Sequence, residues 1–147
     1  MSKKFYIYNN NTCTRVKLYG IDVSNLFKIN NYKEVDNVKE ANLIIINTCS
    51  FLKSKEDYFL SFIKNVNNNL ETNQKIMIIG CLPSINKEGI LEINKDILLF
   101  GRDLQKIKEH FNFEKNITTK ATTVSDKLEF KKNYYIYLTN AFYIVSI

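Results

Sequence analysis

Three cysteines, Cys13, Cys49 and Cys81, are the residues of this 147-residue chain whose positions most directly indicate chemistry. Cys49 follows an apolar run that is rich in β-branched residues, and Cys81 follows a second run of the same kind. Cys13 comes shortly after a third, shorter run near the N-terminus. Runs of this composition are typical of buried strands, so each thiol is predicted to lie just beyond the carboxyl end of a strand.

The spacing of the cysteines indicates that they belong together. Each gap is about the length of one strand–helix–strand unit, ~30 residues or slightly more. Ligands of open α/β sheets bind in the crevice outside the carboxyl ends of the strands. A single free cysteine is more often a small core residue. Three unrelated core cysteines, however, would have no reason to share a strand-end position, and we therefore predict that the three thiols converge on one edge.

Three converging thiolates suit a soft metal centre, with zinc or an iron–sulfur cluster as the candidates. The odd number of cysteines argues against a disulfide framework. The sequence contains no C-x-x-C pair, and its one histidine, His110, is far from every cysteine along the chain. Three cysteines with an open position match what a cluster with one exchangeable iron requires, while zinc remains an alternative.

The elements that must position these residues alternate between strand and helix. Strands are predicted over residues 4–8, 32–35 and 97–101 and in the two runs that precede Cys49 and Cys81. Apolar residues at helical spacing predict helices over 17–29, 51–66, 83–93 and 104–111. This alternation predicts an α/β fold, with a Rossmann-like or flavodoxin-like parallel sheet sandwiched by helices.

Composition narrows the classes of function. The formal charge is +6, but the lysines are scattered and form no basic stripe with interleaved aromatic residues, so we expect no strong nucleic-acid site. No apolar stretch approaches the ~20 residues of a membrane span. The N-terminus also lacks the apolar core of a signal peptide. A cytoplasmic protein without a membrane partner is the expectation.

Two motifs make the sequence recognisable. The N-T-C-S of residues 47–50 and the G-C-L-P of residues 80–83 closely resemble the second and third cysteine motifs of the N-terminal domain of radical-SAM methylthiotransferases. The segments at 32–35 and 38–41 resemble the residues that precede the second motif in the family. In the first motif, Thr12 and Val16 stand where the family usually has a glycine and an asparagine around the cysteine. The resemblance covers about residues 4–111.

The resemblance implies a cofactor and a reaction. In the family the three cysteines bind one auxiliary four-iron four-sulfur (4Fe-4S) cluster, whose open iron handles the sulfur that is inserted, so Cys13, Cys49 and Cys81 would be its ligands. A separate barrel binds a second cluster and S-adenosylmethionine in the full-length family. The substrates there are a tRNA adenosine or an aspartate of a ribosomal protein.

The resemblance also predicts a domain division. Residues 1–117 are expected to form the methylthiotransferase N-terminal-like domain and 118–133 a polar linker. Residues 134–147 are expected to be the truncated start of a radical-SAM barrel or a disordered tail. No cysteine follows Cys81, so we assign no catalytic residue and expect the chain to be inactive alone. The alternative is a stand-alone cysteine-bearing α/β module that binds zinc or serves redox chemistry or protein interaction.

Overall fold

A five-stranded sheet, parallel throughout, organises residues 3–117, which are the residues that the computed structural model describes. The strands are β1 Lys4–Tyr8, β2 Lys33–Glu34, β3 Leu43–Thr48, β4 Lys75–Gly80 and β5 Leu98–Gly101. Their order across the sheet is β2-β1-β3-β4-β5. This is the flavodoxin-like order, which confirms the predicted fold class. The predicted linker 118–133 and tail 134–147 lie outside the described residues.

Helices cover both faces of the sheet. They are α1 Thr14–Ile29, α2 Lys53–Asn68, α3 Leu82–Ile85, α4 Lys87–Ile93 and α5 Leu104–Phe111. A single 3₁₀ turn, Val38–Glu40, leads into β3. None of the helices within residues 3–117 is long and apolar enough to cross a membrane.

The core consists of two apolar layers that share the central strand. All six residues of β3 are buried. Because side chains alternate along a strand, Ile44 and Ile46 face the layer built with α2, α3 and α4, while Leu43 and Ile45 face the layer built with α1 and α5. A strand that is covered on both faces needs apolar residues at consecutive positions, which is the pattern seen in the sequence.

Three predicted helices differ from the observed ones in their bounds, and one of these, predicted over 51–66, is α2 at Lys53–Asn68. Helix α1 begins at Thr14 rather than at 17, because its first turn has no buried residue before Val16 and therefore gives little apolar signal. The helix predicted over 83–93 is divided in two. Asn86 ends α3 and caps α4, since its side chain accepts a hydrogen bond from Gly89 N at 2.8 Å.

Candidate metal centre

The carboxyl edge of the sheet carries all three cysteines. Cys49 follows the last residue of β3, and Cys81 lies between the end of β4 and the start of α3. Cys13 immediately precedes α1 and is reached from β1 by a short polar loop. Cys49 is buried, Cys81 is partly buried and Cys13 is exposed. At the predicted edge, the exposure of the cysteines therefore increases from Cys49 through Cys81 to Cys13.

The electrostatic environment of Cys81 includes both of the other cysteines. Burial raises the pKa of the Cys81 thiol, and the neighbouring Cys49 and Cys13 thiolates raise it further. The positive charge of Arg102 and a hydrogen bond from the backbone of Ser50 act in the opposite direction. Cys81 thus lies within electrostatic reach of both other thiols and of one cation.

Thr48 ties the segment of Cys49 to that of Cys81. Its hydroxyl donates a hydrogen bond to the carbonyl oxygen of Ile79 at 2.7 Å and accepts one from the backbone N–H of Leu82 at 3.2 Å. The backbone N–H of Cys81 donates to the carbonyl oxygen of Thr48 at 2.9 Å. These three bonds continue the pairing of β3 with β4 past the end of the sheet, so the two thiols are carried by one rigid unit.

Asn47 ties the same strand to the segment of Cys13. Its side-chain amide donates to Oδ1 of Asn9 and to the carbonyl oxygen of Val16, both at 2.7 Å. Asn9 in turn donates to the carbonyl oxygen of Lys17 at 3.1 Å. The loop before Cys13 and the first turn of α1 are therefore both fixed to β3.

Gly80 allows β4 to approach β3 closely just before Cys81. Its φ is +95°, in the region that favours glycine. A Cβ placed there would collide with the carbonyl oxygen of Thr48 and would lie 2.8 Å from the Thr48 nitrogen. The glycine of the G-C-L-P motif is therefore required by both conformation and space.

Some buried polar atoms in the part of the chain that the structure describes have no hydrogen-bond partner, and two of them are on residues next to the cysteines. Among the described residues, four buried side-chain atoms make no hydrogen bond: Thr12 Oγ1, Tyr19 Oη, Asn47 Oδ1 and Ser50 Oγ. Thr12 and Ser50 are the chain neighbours of Cys13 and Cys49. Buried polar groups are normally paired, so unpaired ones at a site are expected to meet a bound group or water.

A soft donor set of three thiols is compatible with an iron–sulfur cluster. Within residues 3–117, no group of three His, Cys, Asp or Glu side chains is arranged to hold one metal ion. In a four-iron cluster each thiolate binds a different iron, so the ligands stand farther apart than the ligands of one ion. Three thiols on one edge, with unpaired hydroxyls beside two of them, are compatible with that larger group.

Some residues of the site were not predicted from the sequence. Asn47 and Thr48 were recognised as parts of a motif, but their roles as ties between segments were not. Arg102 was missed altogether, although it follows β5 directly and therefore lies at the same edge as the cysteines. Its position after a predicted strand was the signal that could have identified it.

Comparison with known proteins identifies relatives of this domain. The chain is 35% identical over 104 residues to the ribosomal protein uS12 methylthiotransferase RimO of Clostridium perfringens, an alignment that covers 66% of this chain and 23% of the relative. It is 31% identical over 98 residues to the tRNA-2-methylthio-N(6)-dimethylallyladenosine synthase of Thermosipho africanus, covering 67% of this chain and 22% of the relative. The chain thus spans less than a quarter of the length of these relatives.

A family model matches the part of the chain that contains the site. Residues 10–101, more than half of the chain, match the family described as "Uncharacterized protein family UPF0004". The matched segment includes all three cysteines and strands β2 to β5. The chain therefore belongs to this family, the N-terminal domain of the methylthiotransferases.

Proposed function

We propose that residues 3–117 form the iron–sulfur-cluster-binding domain of a methylthiotransferase, with Cys13, Cys49 and Cys81 as the ligands of one 4Fe-4S cluster. The observation that carries the proposal is the meeting of three cysteine segments, from three neighbouring strands, at one carboxyl edge of the sheet. The interaction of both other thiols with Cys81 supports it.

The ligand segments are held before any cofactor binds. Thr48 fixes Cys81 relative to Cys49, and Asn47 fixes the loop and helix that flank Cys13. Hydrogen bonds that orient metal ligands lower the reorganisation needed on binding. Cys49 is buried and Cys13 is exposed, which supports an arrangement with Cys49 at the inner end of the proposed site and Cys13 at its outer end.

The cofactor would supply sulfur chemistry at an iron that no cysteine of this chain occupies. The chain has three cysteines in all, and a 4Fe-4S cluster has four irons. All three thiols are assigned to one cluster, so a second cluster that cleaves S-adenosylmethionine needs cysteines from another polypeptide segment. We therefore expect this 147-residue chain alone to produce no 5′-deoxyadenosine.

The relatives indicate the class of substrate on which a complete enzyme containing this domain would act. The relatives named above act on a ribosomal protein in one case and on tRNA in the other. The two similarities cover nearly the same share of this chain and differ little in identity. We propose a role in methylthiolation of one of these two substrate classes.

Anaerobic reconstitution of the full chain with iron and sulfide tests the proposal. We expect about four irons and about four sulfides per chain, together with a thiolate-to-iron absorption band. The matched control is the cysteine-free triple variant with Cys13, Cys49 and Cys81 changed to Ser, which should retain no iron. Tight binding of one zinc per chain without a cluster would overturn the proposal and favour a zinc module.

A further inference from the structure

We propose that the hydroxyl groups of Thr12 and Ser50 donate hydrogen bonds to sulfur atoms of the bound cluster and thereby raise its reduction potential. This inference rests on the proposed function. The two residues are not proposed ligands, and their side chains do not connect the cysteine segments. Their proposed role is to position the cluster and to set its reduction potential.

The first argument is burial without a partner. Thr12 Oγ1 and Ser50 Oγ are both removed from solvent, and neither makes a hydrogen bond within the described residues. A buried hydroxyl that loses its water partners without replacement destabilises a protein by about 1–3 kcal/mol. We therefore expect these two hydroxyls, each on a residue next to a proposed ligand, to have a partner that the polypeptide does not supply.

The second argument is location. Thr12 directly precedes Cys13 and Ser50 directly follows Cys49, so each hydroxyl is on a residue adjacent to a proposed ligand. The backbone of Ser50 also lies near the thiol of Cys81, since it acts to lower the pKa of that thiol. Ser50 is therefore next to Cys49 in the sequence and near Cys81, where a group bound by both would be within reach.

The third argument is the chemistry of the acceptor. The sulfides and cysteine thiolates of a cluster accept hydrogen bonds, and such bonds are among the factors that set the reduction potential. The reduced cluster is the more negative form, so a donor stabilises it more than the oxidised form. Removing a donor must then shift the potential to a more negative value.

The test compares isosteric and conservative variants of the full chain. Thr12→Val and Ser50→Ala remove the hydroxyls, whereas Thr12→Ser and Ser50→Thr keep them. After reconstitution, iron content is measured first and the midpoint potential is then determined by a redox titration followed by electron paramagnetic resonance. For each removal we expect the reduction equilibrium to fall about tenfold, which is about 59 mV for a one-electron couple. The conservative variants should remain close to the wild type.

The outcomes separate this inference from the proposed function. If the wild-type chain binds no cluster, the proposed function fails and the inference fails with it. If the wild type and both hydroxyl-free variants hold the same iron at the same potential, only the inference is wrong. Thr12→Ala is measured beside Thr12→Val to detect a steric effect of the valine methyl group. A folded variant that loses its iron would show that the hydroxyl is needed to hold the cluster, which also overturns a tuning role.

Discussion

The side-chain amide of Asn47 lies 2.7 Å from Oδ1 of Asn9, and this contact joins the central strand to the loop that leads to Cys13. The same amide group donates its other hydrogen to the carbonyl oxygen of Val16. Asn47 is fully buried. One buried side chain therefore fixes two points of the segment that carries the most exposed of the three cysteines.

Replacing Asn47 with alanine should destabilise the apo protein by about 1–3 kcal/mol, because acceptors on Asn9 and Val16 lose their donor inside the core. Urea unfolding of the full chain, followed by circular dichroism, measures this change. The matched control is Asn68→Ala at the exposed last position of α2, which should stay within about 0.5 kcal/mol of the wild type. Equal midpoints for the two variants would show that the contacts of Asn47 contribute nothing.

A second pair of variants separates the effect of backbone strain from the effect of a steric collision. Gly80 and Gly101 both have positive φ, +95° and +58°. A Cβ at Gly101 would meet its nearest atom, Ser84 Oγ, at an ordinary 3.5 Å, whereas a Cβ at Gly80 would collide with the backbone of Thr48. Gly101→Ala should therefore destabilise the chain by about 1–2 kcal/mol from backbone strain alone. Gly80→Ala should have a clearly larger effect in the same urea experiment. The argument from space fails if the two variants unfold at the same concentration.

The sequence predicted the elements whose side chains show a clear period. Helix α5 was predicted with its observed bounds because its apolar residues recur at helical spacing, and β3 was predicted as central because it is apolar at consecutive positions. The carboxyl-edge location of the cysteines followed from topology alone, since equivalent ends of parallel strands lie on one edge.

The polar ties could not be predicted in this way. The partner of Asn47 is a residue far away along the chain, and the chain contains many other asparagines. Periodicity records which face of an element is apolar, but it carries no information about which polar groups meet across elements. The division of the 83–93 helix was missed for a related reason, because the cap at Asn86 depends on a local side-chain contact.

Tyr19 provides a prediction about pH. Its hydroxyl is buried, and burial raises the pKa of this phenol well above its ordinary value of 10.0, with Asp103 and Asp22 adding to the effect and Arg102 opposing it. A raised pKa in the folded state means that the contribution to stability is fully present below pH 10. It is lost as the pH rises above that value, because the unfolded chain ionises there first.

Tyr19→Phe removes this titration. The free energy of unfolding of the wild type should fall relative to that of Tyr19→Phe by up to ~1.4 kcal/mol per pH unit above pH 10. Near neutral pH the two should be similar, since the substitution also removes a buried hydroxyl without a partner. Urea titrations of both chains at about pH 7, 9, 10 and 11 measure the difference. Curves that remain parallel up to pH 11 would refute the assigned cause.

The single cysteine variants separate metal binding from folding, because the three thiols differ in burial. Cys13 is exposed and is the N-cap of α1, where serine is favoured, so Cys13→Ser should not lower the free energy of unfolding of the apo chain by more than about 0.5 kcal/mol. Cys49 is buried, and serine there places a hydroxyl in the core, which should destabilise the apo chain by about 1–3 kcal/mol.

Each variant should nevertheless lose most of its iron after anaerobic reconstitution, because each removes one of three thiolates. Iron loss in Cys13→Ser, with stability intact, would be the direct sign of ligation. Full iron content in that variant would remove Cys13 from the site and leave Cys49 and Cys81 as its only cysteine ligands.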